Sequence, residues 1–136
     1  MNTIDSKYKI ILLVFVPLIL FTACQYLYSD SKAKLEIEEP IYDFGIVAGD
    51  TVLTHTFSLA NVGGDTLYIK GVRSTWGCTA SLLSSEVIPP GEKGDLRVTF
   101  STKKRWGENK KAVYIYSTDE KSRLTKVYIK ANVVKK

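Results

Sequence analysis

The sequence predicts an all-β domain, built as a two-sheet antiparallel sandwich of seven or eight short strands, preceded by a hydrophobic N-terminal signal or anchor helix. Three observations lead to this prediction. Apolar and polar side chains alternate in short runs through residues 34–136, as they do in half-buried strands. Turn-forming segments such as Gly63-Gly64-Asp65 and Pro89-Pro90-Gly91 separate these runs. Residues 10–21 form an apolar stretch without a charged side chain, which sets the N-terminus apart.

The N-terminal residues have the features of an export signal. Lys7 and Lys9 precede the apolar stretch, and small residues follow it. The segment Phe21-Thr22-Ala23-Cys24 resembles the lipobox of bacterial lipoproteins, in which the chain is cleaved before a cysteine whose thiol is acylated. We therefore predict a signal peptide at residues 1–23, lipid attachment at Cys24 and a polar tether at residues 24–33.

An uncleaved transmembrane helix at about residues 10–28 is the main alternative, and plain secretion is the third interpretation. A segment of that length just spans the roughly 30 Å hydrocarbon core, but Pro17 and Gln25 interrupt it. Both anchored interpretations place the rest of the chain in the cell envelope, facing the periplasm. For a lipoprotein the outer membrane is slightly favoured, because Gln25 is not the aspartate that favours inner-membrane retention; the uncleaved helix implies a single-pass inner-membrane protein.

The alternating runs predict which side chains form the core. We expect strands at about residues 34–38, 41–47, 53–61, 66–70, 96–101, 112–116 and 126–133, with residues 103–111 as a connecting loop. No segment beyond residue 33 has a convincing helical period. The side chains expected to point inward are Leu53, His55, Phe57, Leu59, Leu67, Ile69, Leu96, Val98, Phe100, Val113, Ile115, Val127, Ile129, Ala131 and Val133.

Six short motifs, in this order and spacing, resemble the DUF1573 family. They are Tyr42-Asp43-Phe44-Gly45, Phe57-x-Leu59-x-Asn61-x-Gly63, Leu67-x-Ile69, Gly77-Cys78-Thr79, Pro89-Pro90-Gly91-Glu92 and Val98-x-Phe100. The resemblance covers about residues 34–133. Members are bacterial envelope proteins, common in Bacteroidetes, without an assigned activity. The resemblance implies an immunoglobulin-like fold akin to the ASH and PapD-like sandwiches.

The segment Trp76-Gly77-Cys78-Thr79 is a candidate functional loop. The family usually has Cys-Gly-Cys-Thr here, so Trp76 replaces the first cysteine and two-thiol chemistry cannot be carried over. We interpret Cys78 as a buried thiol and His55 as a packed side chain, because no orienting group is visible for a nucleophilic pair. One histidine and one free cysteine fall short of a zinc site. We predict no catalytic residue, metal or cofactor, and no enzyme.

Two surfaces are candidate contact sites. Lys103, Lys104 and Arg105 precede Trp106, and this patch suits anionic lipid or glycan, although a solvated loop is the favoured interpretation. Tyr114, Tyr116 and Tyr128 share an expected outward face with Lys126 and Lys130, which we attribute first to strand propensity and second to binding. A net charge of +5 is too small and scattered to predict nucleic-acid binding.

These features predict a non-enzymatic, membrane-anchored envelope protein whose sandwich is a binding or structural module, with another envelope protein as its expected partner. The alternative is a periplasmic assembly or chaperone-like factor that acts by strand addition at a sheet edge. A thiol-dependent redox protein that uses Cys78 is the third hypothesis, and Trp76 makes it the least favoured. The ligand and the oligomeric state are not indicated by any motif.

Overall fold

The computed structural model describes residues 8–17, 32–75, 77 and 79–135. Residues 8–17 are helical, within the predicted signal peptide. Among the described residues, no helix has both the length and the apolar character needed to cross a membrane. Cys24, most of the predicted tether, Trp76 and Cys78 lie outside the described residues. The compact unit from Ser31 to Lys136 contains all the strands named below.

Within the described residues this unit has nine strands, and several of the segments between them contain glycine, proline or aspartate. Their bounds are β1 Leu35–Glu36, β2 Ile41–Ala48, β3 Val52–Asn61, β4 Leu67–Ser74, β5 Thr79–Leu83, β6 Val87–Ile88, β7 Lys93–Ser101, β8 Gly107–Ser117 and β9 Leu124–Val134.

The strands form two sheets, which confirms the predicted sandwich. One sheet has the order β1-β3-β7-β5, and the other has the order β2-β9-β8-β4-β6. The prediction of wholly antiparallel pairing is wrong at one place, because β2 runs parallel to β9, with Ile41 opposite Tyr128 and Ala48 opposite Val134. The chain crosses between the sheets at Pro40, whose carbonyl accepts a hydrogen bond of 2.7 Å from the Tyr128 amide.

The core lies between the two sheets and contains most of the predicted inward rows, together with Leu35 and Ile88. Phe57 is 2% exposed, and the same alternation buries the inward residues of β4, β7, β8 and β9. Burial of one such side chain stabilises the fold by roughly 1.5–3 kcal/mol. Leu53 and His55 are half-buried at the beginning of β3, where the core meets solvent.

Two further features differ from the sequence prediction. There are nine strands among the described residues rather than seven or eight, because β5 and β6 lack a clear alternating pattern; Leu82 in β5 is 65% exposed. The loop predicted at residues 103–111 ends earlier, since β8 begins at Gly107, which pairs with Val133. Lys111 is consequently a strand residue and is only 8% exposed, on the inward side of β8.

Candidate functional site

The candidate functional loop connects β4 in one sheet to β5 in the other. Gly77 is exposed, and Thr79 is buried at the first position of β5. The Ser74 hydroxyl donates a hydrogen bond of 2.9 Å to the Thr79 carbonyl, which closes the loop. The Thr79 hydroxyl oxygen has no hydrogen-bond partner within the part of the chain that the structure describes. Trp76 and Cys78, on which the thiol hypothesis depended, lie outside that part.

The candidate contact patch forms the turn between β7 and β8. Trp106 is 49% exposed and lies across the β2–β3 turn: a Cβ atom on Gly49 would come within 2.6 Å of Trp106 Cζ3. The ammonium group of Lys135 lies 5.8 Å from the centre of the indole ring. Lys103 and Lys104 are exposed, and Arg105 is half-buried. The indole ring of Trp106 therefore packs against the neighbouring β2–β3 turn at Gly49.

Thr102 stabilises this turn through hydrogen bonds of its hydroxyl and carbonyl groups. Its hydroxyl oxygen is buried, accepts a hydrogen bond of 2.8 Å from the Thr51 amide and lies 3.2 Å from the Ala48 carbonyl, to which the hydroxyl can donate. The Thr102 carbonyl accepts a hydrogen bond of 2.9 Å from the Arg105 amide. The turn that carries Trp106 is thus held by paired polar groups, and its three basic residues stay near the surface.

A different feature of the four-stranded sheet is the open side of β3. On one side, β7 pairs with β3 from Val52 to Ala60. On the other side, β1 pairs with β3 only at Ala60 and Asn61, and no other strand among the described residues pairs with that side. The β3 backbone from Val52 to Leu59 therefore borders no described strand there. Such an edge can accept a further strand.

The open side of β3 lacks the usual protection of sheet edges. Residues 52–61 contain no lysine, arginine, aspartate, glutamate or proline. The edge strand β2 is interrupted by a register shift between Asp43 and Ile46, where Gly45 has a φ of 70°. The edge strand β6 has two residues and is followed by Pro89-Pro90. The edge strand β5 is also uncharged but has five residues, so β3 offers the longest uncharged edge among the described strands.

A row of rings lies beside this edge and joins the two sheets. The imidazole of His55 stacks on Tyr42 with 3.7 Å between the ring centroids and 10° between the planes. Phe57 meets His55 edge to face at 4.7 Å, and Phe44 meets Tyr42 edge to face at 4.9 Å. Because Tyr42 belongs to β2 and His55 to β3, the rings close the gap between the sheets.

A shallow cleft of about 240 Å³ opens at the same place. Burial lowers the pKa of the His55 imidazole below its usual 6.5, and the nearby Glu39 carboxylate partly opposes this shift. His55 is therefore mainly neutral at pH 7, and the negative charge at the cleft comes from Glu38 and Glu39. The cleft is lined by Glu38, Glu39, His55, Thr56, Phe57 and Ser58.

The sequence predicted the strand β3 and the packing of His55, but not the open edge. That edge exists because β1 has only two residues before the chain leaves for the other sheet at Pro40. The short distance from the alternating run at residues 34–38 to Pro40 was the available signal. Among the described residues, no group of three or more His, Cys, Asp or Glu side chains could hold a metal ion.

Several solved structures share this fold at low sequence identity. A protein of unknown function from Porphyromonas gingivalis W83 matches with a TM-score of 0.66 and 18% identity, over 74% of this chain and 46% of that one. The ASH/PapD-like domain 7 of human CEP192 matches with a TM-score of 0.59 and 14% identity, over 81% and 92%. The VesB protease of Vibrio cholerae matches with a TM-score of 0.62 and 12% identity, over 72% and 31%.

These likenesses show an immunoglobulin-like fold of the ASH/PapD-like type and nothing about activity, because every identity is below 20%. The chain spans less than half of the length of the first three solved structures that it matches. A search of curated proteins gave no match. The family described as "Protein of unknown function (DUF1573)" matches residues 35–133, which covers every strand except the last residue of β9. The chain belongs to the DUF1573 family.

Proposed function

We propose that this protein is a non-enzymatic, membrane-anchored module of the bacterial cell envelope that binds an extended segment of a partner protein by strand addition to β3. The observation that carries the proposal is the uncharged edge from Val52 to Leu59, which borders no described strand on the side away from β7. An added strand would satisfy its backbone hydrogen-bonding groups, which supplies affinity without requiring a particular sequence.

The cleft beside the edge supplies selectivity. Side chains alternate along a bound strand, so every second residue of the partner would point toward the cleft next to His55 and Phe57. The carboxylates of Glu38 and Glu39 favour a lysine or arginine in the partner segment. We therefore expect an extended segment with alternating apolar residues and a basic residue near one end.

The anchor is proposed from the sequence. The basic N-terminus, the apolar stretch and Cys24 favour a lipoprotein that faces the periplasm, with the outer membrane preferred, and a single-pass inner-membrane protein is the alternative. Globomycin blocks the signal peptidase of lipoproteins. We expect an unprocessed precursor to accumulate in treated cells and Cys24→Ala to have the same effect. Cleavage that continues in both cases would refute the lipoprotein in favour of plain secretion after an ordinary signal peptide. A chain that keeps its full length in untreated cells as well would favour the single-pass helix.

Strand addition can be tested by photo-cross-linking in living cells. A photoreactive amino acid replaces Thr56, on the exposed face of β3, or Ser122, in the exposed β8–β9 turn, as a matched control. We expect a discrete adduct from position 56 and none from position 122. Thr54→Pro should abolish that adduct, because proline disrupts pairing along the edge. Equal adducts at both positions would indicate nonspecific contact.

A second measurement separates strand addition from ordinary side-chain contact. Hydrogen exchange of the purified adduct should show new protection of backbone amides between Val52 and Leu59, since an added strand hydrogen-bonds them directly. Protection confined to other strands would show that the partner binds elsewhere. Cys78→Ser is expected to leave both the adduct and the protection unchanged, because the proposed binding uses no thiol.

A further inference from the structure

The outer face of the five-stranded sheet is rich in basic and tyrosine side chains. Its β4, β8 and β9 residues alternate with the buried core rows, so their side chains point away from the core. Register places Tyr114 between Arg73 and Lys126, and Lys110 opposite Lys130. We call this surface the basic-tyrosine face, and its members are Lys70, Arg73, Lys110, Tyr114, Tyr116, Lys126, Tyr128 and Lys130.

The basic-tyrosine face has a positive net charge. All five of its basic side chains are exposed. Two acidic residues lie beside it: Asp43, whose carboxylate is 3.9 Å from the Lys130 ammonium group, and Glu108 at the beginning of β8. Five cations therefore share this surface with two carboxylates, and this excess of positive charge suits an anionic ligand.

Two shallow clefts lie toward opposite ends of the face. The first, of about 390 Å³, contains polar groups of both charges: Asp43, Glu108, Asn109, Lys110, Lys130 and Asn132. The second, of about 360 Å³, is lined by Lys70, Gly71, Arg73 and Tyr116. Strand β8 connects the clefts from Glu108 to Tyr116, a distance of about 27 Å at the usual rise per strand residue.

We propose that the basic-tyrosine face binds a linear acidic polysaccharide. Such a chain carries acid groups and hydroxyl groups at regular intervals, and this face offers partners for both. The exposed ammonium and guanidinium groups suit carboxylate or sulfate groups. The carboxylates and amides of the first cleft suit sugar hydroxyls, which donate hydrogen bonds. The distance between the clefts suits an extended chain rather than one small anion.

Two contacts favour a polysaccharide over nucleic acid. The ammonium group of Lys110 lies 4.4 Å from the ring centre of Tyr128, and that of Lys126 lies 5.4 Å from the ring centre of Tyr114. These ammonium groups cover ring faces on which bases would have to stack. This face differs from the β3 edge, so its function does not depend on strand addition.

The test measures binding of the full-length protein in detergent to fluorescent polygalacturonate, dextran sulfate and neutral dextran. We expect binding of one or both acidic polymers and none of neutral dextran. Binding of polygalacturonate alone would identify carboxylate as the recognised group, whereas binding of dextran sulfate alone would identify sulfate. No binding of either polymer would overturn the proposal.

A matched pair of variants separates a specific site from general attraction. Lys110→Gln combined with Lys130→Gln should weaken binding by about tenfold, because two charge-assisted contacts are lost. Lys93→Gln combined with Arg97→Gln removes the same charge from exposed positions of β7, in the other sheet, and should change Kd by less than about twofold. Equal weakening by both pairs would indicate nonspecific electrostatic attraction and refute the site.

Competition tests other anionic ligands. Single-stranded DNA and mixed micelles that contain phosphatidylglycerol are added to the bound polysaccharide at matched concentrations of negative charge. We expect unlabelled acidic polysaccharide to displace the probe at the lowest concentration. More effective displacement by DNA or by phosphatidylglycerol would show that the face recognises nucleic acid or a lipid surface instead.

Discussion

The side-chain amide nitrogen of Asn61 donates a hydrogen bond of 2.9 Å to the main-chain carbonyl of Ile88, and this bond connects the two sheets. The same nitrogen donates to the Asp65 carbonyl at 2.7 Å. The side-chain oxygen accepts from the amides of Gly63 at 3.1 Å and Lys34 at 3.3 Å. Asn61 is fully buried, so these four bonds match the hydrogen-bonding capacity of its side chain.

Replacement of Asn61 should destabilise the fold strongly. We expect Asn61→Ala to lower the free energy of unfolding by about 2–4 kcal/mol, because buried amides and carbonyls lose their partner. Urea denaturation followed by tryptophan fluorescence measures the change. Asn132→Ala, which alters an exposed residue of β9, is the control and should shift stability by less than about 0.5 kcal/mol. Equal midpoints for the two variants would contradict the role of Asn61.

Gly63 is required for a steric reason. A Cβ atom at this position would lie 2.0 Å from the Lys32 carbonyl oxygen and 2.6 Å from the Lys34 nitrogen, and both are backbone atoms. We expect Gly63→Ala to lower the free energy of unfolding by about 1–3 kcal/mol, because the backbone at Gly63 must move away from that at Lys32 and Lys34. Gly71→Ala is the matched control, since a Cβ there meets no atom within 4 Å. Thermal unfolding of both variants should show a lower Tm for Gly63→Ala alone.

Phe57 tests the core beside the open edge. We expect Phe57→Ala to lower the free energy of unfolding by about 3–5 kcal/mol, through lost packing and a residual cavity. Val52 lies in the same strand but is 67% exposed, so Val52→Ala should change stability by less than about 0.5 kcal/mol. A midpoint of Phe57→Ala within error of the unaltered protein would mean that this ring is not part of the core.

Much of this fold could be predicted from the sequence because sheet burial imposes a period of two. The rows that contain Phe57, Val98 and Ile129 followed directly from that period. The parallel pairing of β2 with β9 could not be predicted, because it depends on which sheet the chain joins after Pro40. Lys111 resembled a loop residue within a charged segment, and pairing of β8 with β9 determines its inward position.

The candidate sites were less predictable because they depend on how distant strands pair. Spacing along the chain identified Trp106 and its basic neighbours, but it gave no information on the contact of Trp106 with Gly49. An open edge depends on which strands remain without a neighbour in the folded sheet, and a local sequence pattern does not indicate this. The side chains of the basic-tyrosine face come from three strands, so register was needed to assemble them.

His55 should make stability depend on pH. Its pKa is lowered in the folded state mainly by burial, so between that pKa and the usual 6.5 the unfolded state binds more protons. The contribution of His55 is therefore fully present above about pH 6.5 and is lost as pH falls toward the folded-state pKa. We expect His55→Phe to reduce the loss of stability between pH 7.5 and pH 5, measured by urea denaturation.

Glu39 provides an independent check on this interpretation. Its carboxylate partly raises the pKa of His55, so Glu39→Gln should lower that pKa further and extend the pH window in which stability is lost. NMR titration of the single histidine in the sequence measures the pKa directly. A pKa that rises in Glu39→Gln would show that Glu39 does not act on His55 by electrostatic attraction.

Thr79 offers a substitution that should stabilise the domain. Its hydroxyl oxygen is buried without a hydrogen-bond partner among the described residues. Thr79→Val replaces that hydroxyl with a methyl group of similar size, so we expect the free energy of unfolding to rise by about 1 kcal/mol. Thr54→Val, at an exposed position of β3, is the control. A decrease for Thr79→Val would indicate that the hydroxyl is paired in solution.

The parallel pairing of β2 with β9 has a consequence for folding during synthesis. Strand β9 lies between β2 and β8. Strand β2 is translated early, but its only neighbour among the described strands is β9, which is translated last. The five-stranded sheet cannot close while the ribosome still holds Leu124–Val134. The four-stranded sheet, in contrast, contains no residue after Ser101 and can pair before the last strand is made.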